Sequence, residues 1–174
     1  FIYVVIGLLV IFVISQLLAR AELPINEIFI KGEYQHIDQD QVDLISNNYI
    51  KGNFFSIDLN LTRKAFKRLA WVREVSIRRK WPDTLEVTIE EHKPIARFGN
   101  IGLVNNYGEI FNAATDEDLP IFLAQEHFIK EITEKFGEMN KILAKELMQV
   151  GTITLSDRLS WQITTNNQVR VILG

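Results

Sequence analysis

The chain opens on eighteen positions without a charge, FIYVVIGLLVIFVISQLL from Phe1 to Leu18, where Ser15 and Gln16 interrupt the apolar run. At about 1.5 Å per residue this run makes a helix roughly 27 Å long, close to the thickness of a bilayer's hydrocarbon core. A transmembrane anchor over residues 1–21 is therefore expected. Ala19-Arg20-Ala21 has the small-x-small form of a secretory cleavage site, but the apolar run exceeds the usual signal core of roughly 7 to 15 residues. Pro24 follows closely, and from Ile25 the pattern changes period several times. Ile28 and Ile30 alternate in a short strand ended by Lys31-Gly32. Asp38 is placed to cap a helix, with Gln41 in the capping-box position and Ile37 set to staple onto Val42. Val42, Ile45 and Tyr49 then recur at helical spacing. After Gly52-Asn53 and Phe54-Phe55, a second helix from about Leu61 to Leu69 presents Leu61, Ala65 and Leu69 on one stripe. Val75 and Ile77 alternate with Ser76 and Arg78, and Leu85, Val87 and Ile89 with Glu86, Thr88 and Glu90, which predicts two strands with one buried face each. Lys80-Trp81-Pro82-Asp83 between them reads as a hairpin turn.

The order strand, helix, helix, strand, strand over residues 25–94 makes a complete small α+β domain, with two amphipathic helices on one face of a three-stranded sheet. A second domain over 95–174 is expected to mix strands with one long helix. Short strands are predicted at Ile95 to Phe98, Leu103 to Asn105, Glu109 to Phe111 and Ile121 to Leu123. Phe128, Ile132, Phe136, Met139, Leu143, Leu147 and Val150 form an amphipathic stripe, with Gly151 as the helix stop and the stripe packed on the sheet. Two closing strands, Ser160 to Thr165 and Gln168 to Leu173, are joined by Asn166-Asn167, a pair that tolerates the positive φ of a tight turn. A sheet ending there has an unpaired edge, so either further chain or a partner strand is expected to cover it.

Composition narrows the function more than it alters the fold. The net charge of -3 is the opposite of the basic footprint that nucleic-acid binding needs. The absence of cysteine removes disulfides and thiolate chemistry, and it suits an oxidising compartment. His36, His92 and His127 lack metal-ligand spacing and read as surface residues. Glu90 and Glu91 are consecutive strand residues that point to opposite faces, so they do not converge as acid and base and read as solvated charges. No phosphate loop, nucleophile elbow or zinc-helix motif occurs. Arg78-Arg79-Lys80 beside Trp81 has the chemistry of an anionic-lipid or nucleic-acid contact, but a solvated hairpin end is the favoured reading. Trp71 and Trp161 read as core anchors. No catalytic residue, cofactor or metal is expected.

Gly52-Asn53-Phe54-Phe55-Ser56-Ile57-Asp58, Ala70-Trp71-Val72, Val75 to Leu85 and Glu91 to Arg97 together resemble the FtsQ/DivIB family. Leu103-Val104, Gly108 to Phe111, Leu119-Pro120, Ser160 to Ile163 and Val171 to Gly174 continue the match in the family's order. Ala70 stands where proline is usual and Phe98 where tryptophan is common. The resemblance implies a single transmembrane helix, a POTRA domain of βααββ order and a C-terminal β domain. It also implies a non-enzymatic divisome scaffold in the inner membrane at the septum, its soluble part in the periplasm, binding FtsB and FtsL and linking early division proteins to septal peptidoglycan synthesis. The family continues past the strand ending at Gly174, so the β domain is expected to be C-terminally truncated here.

A POTRA-bearing outer-membrane assembly or secretion component explains only the first domain, and should continue into barrel-type strands that the segment from Ala96 lacks. Residue by residue, the resemblance carries a recruitment surface onto Glu74, Ile77 and Arg79, and a possible FtsB contact onto Arg158. Ile77 reads as inward-facing, whereas Arg79 reads as a surface cation whose charge reversal would leave folding nearly unchanged.

Overall fold

The computed structural model describes residues 2–20 and 24–173, with side chains described for all of these except 17–20. Phe1 and Ala21, within the expected anchor, and Gly174, directly after the expected closing strand, lie outside the described residues. The chain divides into two compact units, Phe1–Glu90 and Glu91–Gly174. Helix α1 spans Ile2–Arg20, and its apolar side chains as far as Gln16 are exposed. Among the described residues no helix is long and apolar enough to cross a membrane.

The rest of the first unit is β1 (Glu27–Lys31), α2 (Gln39–Tyr49), α3 (Leu59–Phe66), β2 (Val72–Lys80) and β3 (Thr84–Glu91). The strands form one sheet in the order β1-β3-β2, with β1 parallel to β3 from Glu27 opposite Thr84 to Lys31 opposite Thr88. Asp38 caps α2 by accepting from the Asp40 amide. Asp58 caps α3 by accepting from Asn60 and Leu61, so that helix begins two residues before the expected start. Its buried face consists of Thr62, Ala65 and Phe66. Leu61 is 49% exposed, which corrects the expected stripe. The alternation of β2 and β3 holds: Val75, Ile77, Leu85, Val87 and Ile89 are all buried. Val75, Ile77, Val87 and Ile89 pack with Val42, Ile45, Ala65 and Phe66, each full burial of such a side chain being worth about 1.5–3 kcal/mol.

The second unit holds β4 (Pro94–Phe98), β5 (Gly102–Asn105), β6 (Ile110–Phe111), β7 (Ile121–Leu123), α4 (Ile129–Leu143), β8 (Val150–Leu155), β9 (Trp161–Thr165) and β10 (Arg170–Leu173). Its sheet runs β10-β9-β8-β7-β4-β5-β6. Strand β7 is parallel to both β4 and β8, and the remaining ladders are antiparallel. Ile129 and Ile132 of α4 are buried against Ala96, Phe122, Ile153 and Trp161, with Phe128, Phe136, Met139 and Leu143 packed around them. The expected stripe ends earlier than Val150. The helix tightens over Ala144–Glu146, and Leu147 turns into the left-handed region at φ 57°. Leu147 is therefore 90% exposed, and Val150 and Gly151 belong to β8, an interior strand absent from the expected pattern. In the closing hairpin the positive φ falls on Gln168, not on Asn166 or Asn167.

Candidate partner-binding surfaces

Two places in the fold carry the residues singled out from sequence. On β2, Glu74 is exposed and its carboxylate accepts from Lys67 Nζ at 2.7 Å. That hydrogen bond, chiefly, holds the Glu74 carboxyl below its ordinary value. Three residues on, Ile77 is only 5% exposed and belongs to the core of its domain. Arg79 is exposed, as expected, but its guanidinium is engaged. Its Nε donates to the Phe54 carbonyl at 2.7 Å, and its Nη2 donates to the carbonyls of Phe55 at 3.3 Å and Ile57 at 2.9 Å. The guanidinium fork thus closes the turn between α2 and α3, the geometry for which arginine's fixed donors are suited. Charge reversal there would face three carbonyl oxygens with a carboxylate, so a loss of stability is expected in place of unchanged folding.

The second place is the β10 end of the larger sheet. Strand β10 pairs with β9 alone among the described strands, Arg170 opposite Thr164 through Leu173 opposite Trp161. Its side chains are all exposed, Ile172 at 65% and Leu173 at 47%. An edge of this kind leaves every second pair of backbone groups pointing away from the sheet. Arg158 lies in the turn between β8 and β9, where the Ser156 amide donates to the Ser160 carbonyl at 3.1 Å. Because Leu173 is opposite Trp161, that turn adjoins the final residues of β10. Arg158 is exposed, and its neighbour Asp157 accepts from Gln125 Nε2 at 2.6 Å. Glu74, Ile77 and Arg79 thus share one strand of the first unit, while Arg158 stands beside the open edge of the second.

The other polar candidates are structural. His36 stacks on Trp71 with ring centroids 3.9 Å apart. His92 is half-buried, stacked on Phe111, with its Nδ1 2.9 Å from Asn105 Nδ2. Glu90 is exposed and pairs with Arg73 at 2.9 Å, but Glu91 is buried; the two do point to opposite faces, yet Glu91 is not the solvated charge expected. Among the described residues no three His, Asp or Glu side chains gather closely enough to hold a metal ion. Asn105 escaped notice in the sequence. It is fully buried, and its side-chain oxygen accepts from the amides of Tyr107 and Glu109, fixing the turn from β5 to β6.

A two-helix, three-stranded unit followed by a mixed sheet with one helix defines the class, and comparison with known proteins agrees. The family model "POTRA domain, FtsQ-type" matches residues 23–92. The model "Cell division protein FtsQ/DivIB, C-terminal" matches residues 96–174. The chain belongs to the FtsQ/DivIB family of cell-division proteins. It is similar to the cell division protein FtsQ of Nitrosospira multiformis, 38% identical over 157 residues that cover 87% of this chain and 66% of that protein. It is also similar to FtsQ of Burkholderia pseudomallei, 38% identical over 91% of this chain and 64% of the relative. A third relative is FtsQ of Aliivibrio fischeri, 32% identical over 95% of this chain and 66% of the relative. The chain spans just under two thirds of the length of these curated relatives.

Proposed function

We propose that the chain is a non-catalytic scaffold of the division machinery, built as an anchor over residues 1–21, a POTRA domain over 25–94 and a β domain over 95–174. In this reading the first helix holds it in the inner membrane at the septum. The two domains stand in the periplasm, bind FtsB and FtsL, and link early division proteins to septal peptidoglycan synthesis. Support for the anchor comes from the uncharged run to Leu18 and from the helical backbone that continues to Arg20, which at about 1.5 Å per residue is some 28 Å long. The recruitment surface is proposed on the outward part of β2 around Glu74 and the exposed Arg79, with Ile77 supporting that surface from within.

The observation that carries the proposal is the exposed apolar edge at β10, which suits addition of an extended FtsB segment as a further strand. Arg158 would select that segment through a charge-assisted bond to one of its carboxylates. Hydrogen exchange on the membrane-inserted chain tests this. FtsB should slow exchange of the β10 amides, and unchanged exchange there under saturating FtsB would remove this edge from the site. Alkaline carbonate washing tests the anchor separately, since an inserted helix stays with the membrane.

A further inference from the structure

The hairpin between β2 and β3 and the turn between α2 and α3 lie far apart in sequence, yet both are fastened to the three residues that follow the N-terminal segment. The Asn26 amide donates to the Asp83 carbonyl at 3.1 Å, and Asn26 Nδ2 donates to the Asp83 carboxylate at 2.8 Å. Pro24 forms an antiparallel bridge with Asn53. Arg79 ties the two loops together through the Phe54, Phe55 and Ile57 carbonyls. One end of the POTRA domain is thereby assembled around Pro24 and Asn26, which follow Arg20 by four and six positions in the chain. Each loop presents an unburied aromatic there, Trp81 at 79% exposure and Phe55 at 51%. Lys51, on the loop before Phe55, and Arg78 and Lys80, just before Trp81 in the chain, are exposed. The Glu86 carboxyl is held below its ordinary value chiefly by its hydrogen bond to Lys31, and to a lesser degree by the nearby Lys80 and Arg78.

The distance from α1 to this end is bounded by the chain itself. From Arg20 to Pro24 there are four Cα steps, at most about 15 Å when fully extended. The headgroup layer on each side of a bilayer is roughly 5–7 Å thick. Trp and Tyr collect in that layer because an amphipathic ring is satisfied there on both sides, and Lys and Arg are attracted to its anionic lipids. Single exposed aromatics are ordinary on a soluble surface. Two on separate loops, both pinned at the mouth of a short tether and flanked by cations, are a different arrangement.

We propose that this end of the POTRA domain rests on the bilayer surface, with Trp81 and Phe55 at headgroup depth and Lys51, Arg78 and Lys80 against anionic lipid phosphates. The inference rests on the reading of α1 as a membrane anchor. Asp58 and Asp83 lie on the same loops, and Glu86 on β3 interacts with Lys80 and Arg78, so the cations are partly offset, the aromatics carry most of the attraction and anionic lipid adds to it.

The test uses the full chain reconstituted into phosphatidylcholine–phosphatidylglycerol vesicles containing lipids brominated near the headgroup, with tryptophan fluorescence as the readout. Trp71 is half-buried and Trp161 buried, so both act as internal references. Quenching by the brominated lipid is expected in the wild type and lost in Trp81→Phe. It should return in Trp81→Phe/Phe55→Trp and weaken in vesicles of phosphatidylcholine alone. Equal quenching of the wild type and Trp81→Phe, in a chain that still resists carbonate extraction, overturns the proposal and leaves the anchor standing. Extraction of the chain by carbonate overturns both.

Discussion

On β2, Glu74 is bonded to Lys67, Arg79 to three loop carbonyls, and Ile77 is buried among core side chains. At the β10 edge the side chains of Val171, Ile172 and Leu173 stand in solvent, with exposed Arg158 in the adjoining turn. Ile77 and Arg79 of the first surface are engaged by their own domain, whereas the side chains of β10 are left exposed. A substitution at Ile77 or Arg79 is therefore expected to change the fold before it changes a contact, whereas one at the exposed β10 edge or at Arg158 is expected to leave stability nearly unchanged. Loss of recruitment in a β2 variant identifies a binding residue only after its unfolding free energy has been measured.

The sharpest way to break this contrast is Ile77→Ala, which removes buried methylenes and should lower stability by about 2–5 kcal/mol, read from the urea midpoint. A cost under 0.5 kcal/mol, a bound set by typical surface substitutions, would place Ile77 outside the core. Next is Arg79→Ala. Leaving partly buried carbonyls without their donor should cost about 1–3 kcal/mol, and hydrogen exchange should accelerate between Phe54 and Ile57 while β10 stays unchanged. Arg158→Glu should behave in the opposite way. Its unfolding transition should shift by less than about 0.5 kcal/mol, while FtsB affinity falls about tenfold, equivalent to about 1.4 kcal/mol. Unaltered affinity would take Arg158 out of the proposed contact.

The smallest effect belongs to the exposed Glu74–Lys67 pair. Its carboxyl lies below the ordinary value of 4.5 when folded, so its contribution is fully present above 4.5 and is lost as pH falls through the lower folded value. The stability difference between wild type and Lys67→Ala should be under about 0.5 kcal/mol at neutral pH. It should disappear in acid. A difference that grows on acidification would mean that Lys67 acts through some other group.

The parts of this fold legible in sequence are those set by local periodicity. Val75, Ile77, Leu85, Val87 and Ile89 announce two half-buried strands, and the burial agrees residue by residue. The errors cluster where the chain breaks a local rule. Leu147 ends the α4 region in a left-handed conformation that an observer assigns to Gly or Asn, so the stripe looked continuous and Gly151 looked like its stop. Gln168 takes the positive φ that the neighbouring asparagines seemed to offer. Asp58 as a cap was readable in principle, but Leu61 had drawn the helix start past it. The bonds of Arg79 were not readable at all, because its carbonyl partners lie more than twenty residues away and no local pattern records a contact between a strand and a distant turn.

Strand β7 has three residues, and it alone joins the two halves of the larger sheet. On one side β4, β5 and β6 form a meander from neighbouring segments; on the other β8, β9 and β10 form a second. Each meander closes short loops and gains contacts early, but β7 must wait for partners on both flanks, and its parallel ladders span long stretches of chain. Phe122 sits at its centre, fully buried and edge-on to Phe136 of α4 at 5.3 Å between ring centroids. The β domain is thus expected to assemble as two independently formed pieces that are sewn together last. Phe122→Ala should mainly accelerate unfolding and leave the early refolding phase nearly intact. The half carrying the β10 edge is then expected to form its ladder before the domain as a whole is closed, and protection of the β9 and β10 amides ahead of those of β7 in pulse-labelled refolding would show it.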